Sequence, residues 1–158
     1  MLIRNARKSD IKAILGLIEG VVKHHNKIDC YYKPFSRYSG LEEEIGSWFS
    51  NKEMAVLIAE DSGKLVGYAQ VSVEPAPTYV LAKKIGIVYD MFVSESYRRK
   101  KIAKKLFDEA LRWFALKKVR HIELSVDARN ESGVKLWKSL GFFEYKLMYI
   151  FDRIMEEI

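Results

Sequence analysis

A single cysteine, Cys30, rules out any internal disulfide, and a lone thiol suits a reducing cytosol. No activating partner can be assigned to it, so it reads as a bystander. No apolar run approaches the roughly 20 residues of a membrane helix. The first ten residues carry Arg4, Arg7, Lys8 and Asp10, which leaves no room for an apolar signal core. The three histidines, His24, His25 and His121, lack metal-ligand spacing, so no metal is expected. Repeats and low-complexity stretches are also missing. What these absences leave is one cytoplasmic domain spanning residues 1–158, with no membrane partner.

What is present is globular: 49% hydrophobic and 30% charged residues, with a net charge of +6. That charge is unevenly placed. Between Arg98 and Arg120 stand ten Lys or Arg against Asp108 and Glu109, so the rest of the chain is net negative. The basic segment therefore expects a localised anionic partner. Phe107, Trp113 and Phe114 fall on the apolar face of its helix rather than between the basic residues. That placement argues against nucleic acid as the partner.

Patterning yields the element order. Leu2 to Ala6 is a short strand, and a helix follows Ser9 and Asp10, with Ile11, Ile14, Leu15, Ile18, Val21 and Val22 at helical spacing. His24 to Gly40 reads as a polar and aromatic loop, and Leu41 to Phe49 as a second helix. Met54 to Glu60 and Leu65 to Val73 flank turn residues and pair as a hairpin. Pro75 and Pro77 break the chain before a strand over Ile85 to Val93. A helix is expected from Arg99 to about Lys117, a strand from His121 to Asp127 and a helix from Glu131 to Leu140, with Gly141 as its C-cap. Phe142 to Ile154 is β-prone and is expected to supply one or two strands. The fold class is α/β (α+β): a single mixed, mostly antiparallel sheet flanked by helices.

The chemistry concentrates where the strand ending at Val93 turns into the basic helix. Unpaired amides at a helix start, the helix dipole and stacked positive charge make an anion cradle. Arg98, Arg99, Lys100, Lys101 and Lys104 reinforce it.

Here the chain resembles the GCN5-related N-acetyltransferase (GNAT) family. That family's coenzyme motif is Arg/Gln-x-x-Gly-x-Gly/Ala after a strand ending Val-x-x-x-Tyr. The matching residues are Val93, Tyr97 and Arg98-Arg99-Lys100-Lys101-Ile102-Ala103, with Lys101 in place of the first glycine. A second block is Asn130 followed by Leu136-Trp137-Lys138-Ser139-Leu140-Gly141-Phe142. The resemblance implies the acyl-CoA N-acyltransferase fold, acetyl-CoA as cosubstrate and no metal. It implies that the strands ending at Val93 and starting near His121 splay apart. Pantetheine would then lie along Met91-Phe92-Val93, and the diphosphate would sit on amides from Arg99 to Lys104. Asn130 would contact the pantetheine arm or order the site.

Lys101 is acceptable on the expectation that a first-turn helical position needs no positive φ. Trp137 stands where the family usually has an acidic tyrosine; it would wall the site or pack the core, and indole is no proton source. Asp90 is the candidate base. Tyr145 and Tyr149, on the expected C-terminal strands, are candidate acids. Tyr89 occupies a position where some members place a glutamate. Tyr31 and Tyr32 sit in the loop expected to wall the acceptor pocket. The expected reaction is acetyl transfer to a primary amine, on a small molecule or a peptide, by direct attack in a ternary complex. The alternative is a coenzyme-binding module of the same fold without turnover. A homodimer is compatible with the resemblance.

Overall fold

The computed structural model describes residues 1–29 and 34–149. Contacts divide the chain into two compact units, Met1–Ser125 and Val126–Ile158. In the first unit the order is β1 (Leu2–Asn5), α1 (Ile11–Ile28), α2 (Leu41–Trp48), β2 (Met54–Asp61), β3 (Lys64–Pro75), β4 (Lys84–Val93), α3 (Ile102–Leu116) and β5 (Ile122–Leu124). The strands form one sheet in the order β1-β2-β3-β4-β5. Pairing is antiparallel except between β4 and β5, which run parallel. The expected fold class is therefore seen: a mixed, mostly antiparallel sheet with helices packed on it.

Successive residues of a strand face opposite sides of a sheet, and β3 makes this visible. Tyr68 is buried with Ile14, Leu17, Ile18 and Val22 of α1, Ile45 of α2, and Val56 and Ile58 of β2. Its neighbour Gly67 faces the other way, where an added Cβ would lie 3.5 Å from Leu106 of α3. So α1 and α2 cover one face and α3 the other. Burying these aliphatic side chains stabilises each layer by roughly 1.5–3 kcal/mol per side chain. The approach of α1 is close: a Cβ on Gly20 would come within 2.8 Å of the Phe92 ring.

The turn between β1 and α1 carries an ion-pair network beside the packing of Ala6 and Ile11 against the core. Arg4 grips Asp10 with both terminal nitrogens, at 2.8 and 3.1 Å, and reaches Glu60 of β2 at 2.8 Å. Asp10 also accepts from the Arg7 amide at 2.7 Å. The bond from Arg4 chiefly holds the Asp10 carboxyl below its ordinary value of 3.8. A depressed acid adds stability above that ordinary value and loses it as pH falls through the folded one. Asp10→Asn is therefore expected to cost about 3 kcal/mol at pH 7. The gap from the wild type should close in acid. Urea unfolding at pH 7 and at pH 3 checks both statements.

Two expectations about the chain's path need correction. His24 to Ile28 is helical, the last turn of α1, not part of a loop. Its side chains from His24 to Lys27 are polar although the turn is helical, so composition hides the backbone state. Residues 142–149 form no strand. A β-prone run becomes a strand only beside an edge that pairs with it, and no such ladder forms here among the described residues. Among those residues, no helix is long and apolar enough to cross a membrane.

In the second unit, α4 (Glu131–Ser139) closes as its sequence forecasts. Asn130 caps it, its side-chain oxygen accepting from the Gly133 amide at 3.0 Å. At the far end Gly141 takes φ 97, and the amides of Gly141 and Phe142 return to the carbonyls of Lys138 and Trp137. That pair of bonds is the Schellman arrangement, which glycine favours because the left-handed residue carries no Cβ.

Candidate active site

The site is built on an irregularity of β4. Gly86, Ile87 and Val88 pair with Ile122, Glu123 and Leu124, and there the pairing with β5 ends. Strand β4 continues for five more residues, paired among the described residues with β3 alone. The Ser94 amide donates to Val66 O at 2.9 Å, so alternation turns the amides and carbonyls of Phe92 toward β3. Those of Met91 and Val93 consequently point to the side that β5 has left. Strand β5 stops at Leu124, short of the expected Asp127, so β4 carries a short length of unpaired edge beyond Val88.

A second irregularity aims the side chains. The register between β3 and β4 passes from Gln70↔Asp90 to Val71↔Val88, so Tyr89 is an extra residue, a bulge. Consecutive strand residues normally face apart. Here Tyr89 bonds Glu74 and Asp90 accepts from the Tyr68 hydroxyl. Glu74 and Tyr68 lie on the same side of β3, so both Tyr89 and Asp90 reach the face covered by α1. Tyr89 is half exposed, and Glu74 holds its hydroxyl proton more firmly than usual. The Ser72 hydroxyl lies 3.2 Å from the same Glu74 oxygen.

Asp90 is desolvated, and this chiefly raises its carboxyl above the ordinary 3.8. The bond from Tyr68, the charge of His25 and the Met91 amide pull the other way. The Tyr68 phenol is itself pushed well above its normal range, by burial first and by the Asp90 charge second. Tyr68, His25, Ser72 and Glu74 are the members of this neighbourhood that pattern reading misses. The available signal is Tyr68, Gln70, Ser72 and Glu74, polar groups at alternate positions of a central strand whose other positions, Ala69, Val71 and Val73, are apolar.

After Val93 the chain makes a single 3-10 turn over Glu95–Tyr97, and Arg98 is extended. Arg99 and Lys101 then take φ 60, and α3 starts at Ile102, not at Arg99. The expectation of helical backbone at Lys101 is therefore wrong: its φ and ψ are 60 and 20, in the left-handed region. The cause is the tight return from strand edge to helix. A left-handed residue next to a right-handed one, as Lys101 is to helical Ile102, turns successive amides to one side, an anion-binding arrangement. The first bond of α3 runs from the Lys105 amide to Lys101 O, so the amides of Ile102, Ala103 and Lys104 precede the helical ladder. A left-handed non-glycine residue costs about 1 kcal/mol. Lys101→Gly is expected to recover up to about that much and raise the melting temperature, read by calorimetry.

The basic side chains divide. Arg99, Lys100 and Lys101 are exposed, with the Lys100 ammonium 4.8 Å above the Tyr97 ring. Lys104 is drawn to Asp108 at 2.8 Å. Arg98 braces the strand end, its Nε donating to Val93 O at 3.2 Å and its guanidinium lying over Phe92. Ile102 is buried in the core, so only its backbone can face a ligand, while Ala103 is half-buried.

Within the second unit, Trp137 packs edge-on against Phe142 with ring centroids 5.4 Å apart. Tyr145 and Tyr149 are exposed, on a segment that is not strand. Tyr31 and Tyr32 lie outside the described residues. No group of three or more His, Cys, Asp or Glu side chains that could hold a metal occurs among the described residues.

Known proteins resemble this chain in family and in fold. The profile described as Acetyltransferase (GNAT) family matches residues 23–142. The chain is 28% identical over 144 residues to the uncharacterized N-acetyltransferase YhfO of Bacillus subtilis, covering 91% of each. It is also 28% identical over 156 residues to an N-alpha-acetyltransferase of Sulfurisphaera tokodaii, covering 92% of this chain and 82% of that one. Two solved structures are alike in fold. One is a tetramutant of the BH1408 protein of Bacillus halodurans, with TM-score 0.85, 22% identity and coverage of 96% and 99%. The other is the aminoglycoside N-acetyltransferase AAC(6')-Iy in complex with CoA, with TM-score 0.73, 21% identity and the same coverage. On this match over most of its length, and with these relatives, the chain belongs to the GNAT family and is an acetyl-CoA-dependent acetyltransferase.

Proposed function

We propose that the protein moves an acetyl group from acetyl-CoA to a primary amine by direct attack in a ternary complex. The observation that carries this reading is the strand edge of Met91 and Val93 leading into the turn of Arg99 to Lys104. Pantetheine would pair with that edge, and the diphosphate would rest on the turn amides. The Val93 amide would polarise the thioester carbonyl. The neutral amine attacks that carbonyl, the C–S bond breaks, the thiolate leaves, and the amine proton passes to Asp90, directly or through water. Holding both substrates in one cleft removes much of the entropic barrier.

Asp90 suits the role of base because its carboxyl reaches the α1 face and is held above the usual carboxylate range. Tyr89, half exposed beside it, is assigned to the acceptor side. Tyr145 and Tyr149 remain the candidate donors to the leaving thiolate, and Asn130 and Trp137 the second block of the coenzyme site. The acceptor is a small-molecule or peptide amine. Aminoglycoside acetyltransferases share the fold, at an identity that speaks to fold alone.

Trp137 in the usual tyrosine position favours a second reading, a coenzyme-binding module without turnover. Thiol release from acetyl-CoA across a panel of amines separates the two. Release stimulated by at least one amine supports the enzyme. Tight coenzyme binding with no stimulated release from any of them supports the module.

A further inference from the structure

We propose that Tyr68 is a positioning residue for acetyl transfer, its buried hydroxyl fixing the orientation of the Asp90 carboxylate toward the acceptor side. The proposal rests on the reading of Asp90 as base. Tyr68 is the largest fully buried side chain of the sheet and belongs to the core beneath α1. A buried phenol needs an acceptor, and its hydroxyl donates to Asp90. The two residues are diagonal neighbours, since Tyr68 opposes Phe92 and Asp90 opposes Gln70. A tyrosine is long enough to span that diagonal.

Satisfying a phenol does not require a carboxylate. An amide oxygen would serve without the cost of desolvating a charge. The pair becomes intelligible if the charge is wanted and the phenol is there to hold it. Among the described residues, the titratable groups acting on Asp90 are Tyr68 from β3 and His25 from the last turn of α1. Both favour the ionised form against burial, as the Met91 amide does, and Tyr68 does so through a side-chain hydrogen bond. Regular pairing from Val93 back to Asp90 puts Asp90 on the Tyr68 side, and the bulge brings Tyr89 to that side as well.

The test uses the full chain labelled with ¹³C-carboxyl aspartate. The Asp90 resonance is identified by its loss in Asp90→Asn. In Tyr68→Phe the Asp90 midpoint should rise by about one pH unit, because a donor to the charged form is gone. Thiol release from acetyl-CoA, with butylamine as acceptor, should fall about tenfold. Part of that loss should persist above both midpoints, because orientation is lost as well as protonation.

Should Tyr68→Phe fail to fold, 3-fluorotyrosine placed at position 68 decides. Its more acidic hydroxyl should lower the Asp90 midpoint. An unmoved midpoint, or full recovery of rate at high pH, would overturn the proposal for Tyr68. Wild-type release by Asp90→Asn would instead overturn the base assignment, whatever Tyr68→Phe does.

Discussion

Asp90→Asn is expected to lower kcat by about 10² to 10⁴ while leaving coenzyme affinity within about twofold. It is also expected to leave the protein no less stable at neutral pH. Both follow from one feature, a carboxyl whose protonation is disfavoured by its bonds but favoured more by its burial. The folded carboxyl is raised above the ordinary 3.8, so between that value and the folded one the native state holds the extra proton. Stability therefore falls as pH rises through this window, and the full cost of the buried charge remains above it. Asparagine removes that cost and can still accept from Tyr68. A buried carboxylate kept for use as a base would weaken the fold it sits in. The wild-type rate should climb with pH through the raised midpoint, and the climb should vanish in the variant. Thiol-release kinetics across pH, together with thermal melts, read all of these. A variant that is both fast and pH-dependent like the wild type would remove Asp90 from the mechanism.

The double reversal Arg99→Glu/Lys100→Glu is expected to weaken CoA binding about 100-fold at 0.1 M salt, roughly tenfold for each charge turned against a diphosphate. Both side chains are exposed, and among the described residues neither forms an ion pair, so the melting temperature should barely move. Lys104→Glu should matter less, since its ammonium already faces Asp108 at 2.8 Å. Calorimetric titration with CoA at two salt concentrations checks the size and the electrostatic origin. Equal losses from Lys104→Glu and from the double variant would mean that the turn does not set the site.

How much of this was legible in the sequence depends on the kind of signal. Element order was, because apolar spacing survives in each segment: Ile11 to Val22 at helical period, and Leu41, Ile45 and Trp48 on a second helix. The strand-to-helix junction was legible because its charge is concentrated there. The left-handed turn was not. Lysine at position 101 gives no sign that the backbone is left-handed, and a basic run reads naturally as helix from Arg99 onward. The bulge at Tyr89 was hidden for a related reason: period-two reading assumes an unbroken register, and the inserted residue is what brings Tyr89 to the same face as Asp90. Tyr68 was overlooked because its importance comes from its cross-strand diagonal, which exists only after β3 and β4 are paired. The aromatic run from Phe142 misled in the opposite direction, since strand propensity cannot supply a partner.

The most direct measurement is the set of backbone amide shifts of the ¹⁵N-labelled full chain during titration with acetyl-CoA. The largest changes are expected at Met91 and Val93 and across residues 99–104, saturating together with a single affinity. Saturable binding that leaves those amides unmoved, with the changes clustered on another surface, would contradict the account.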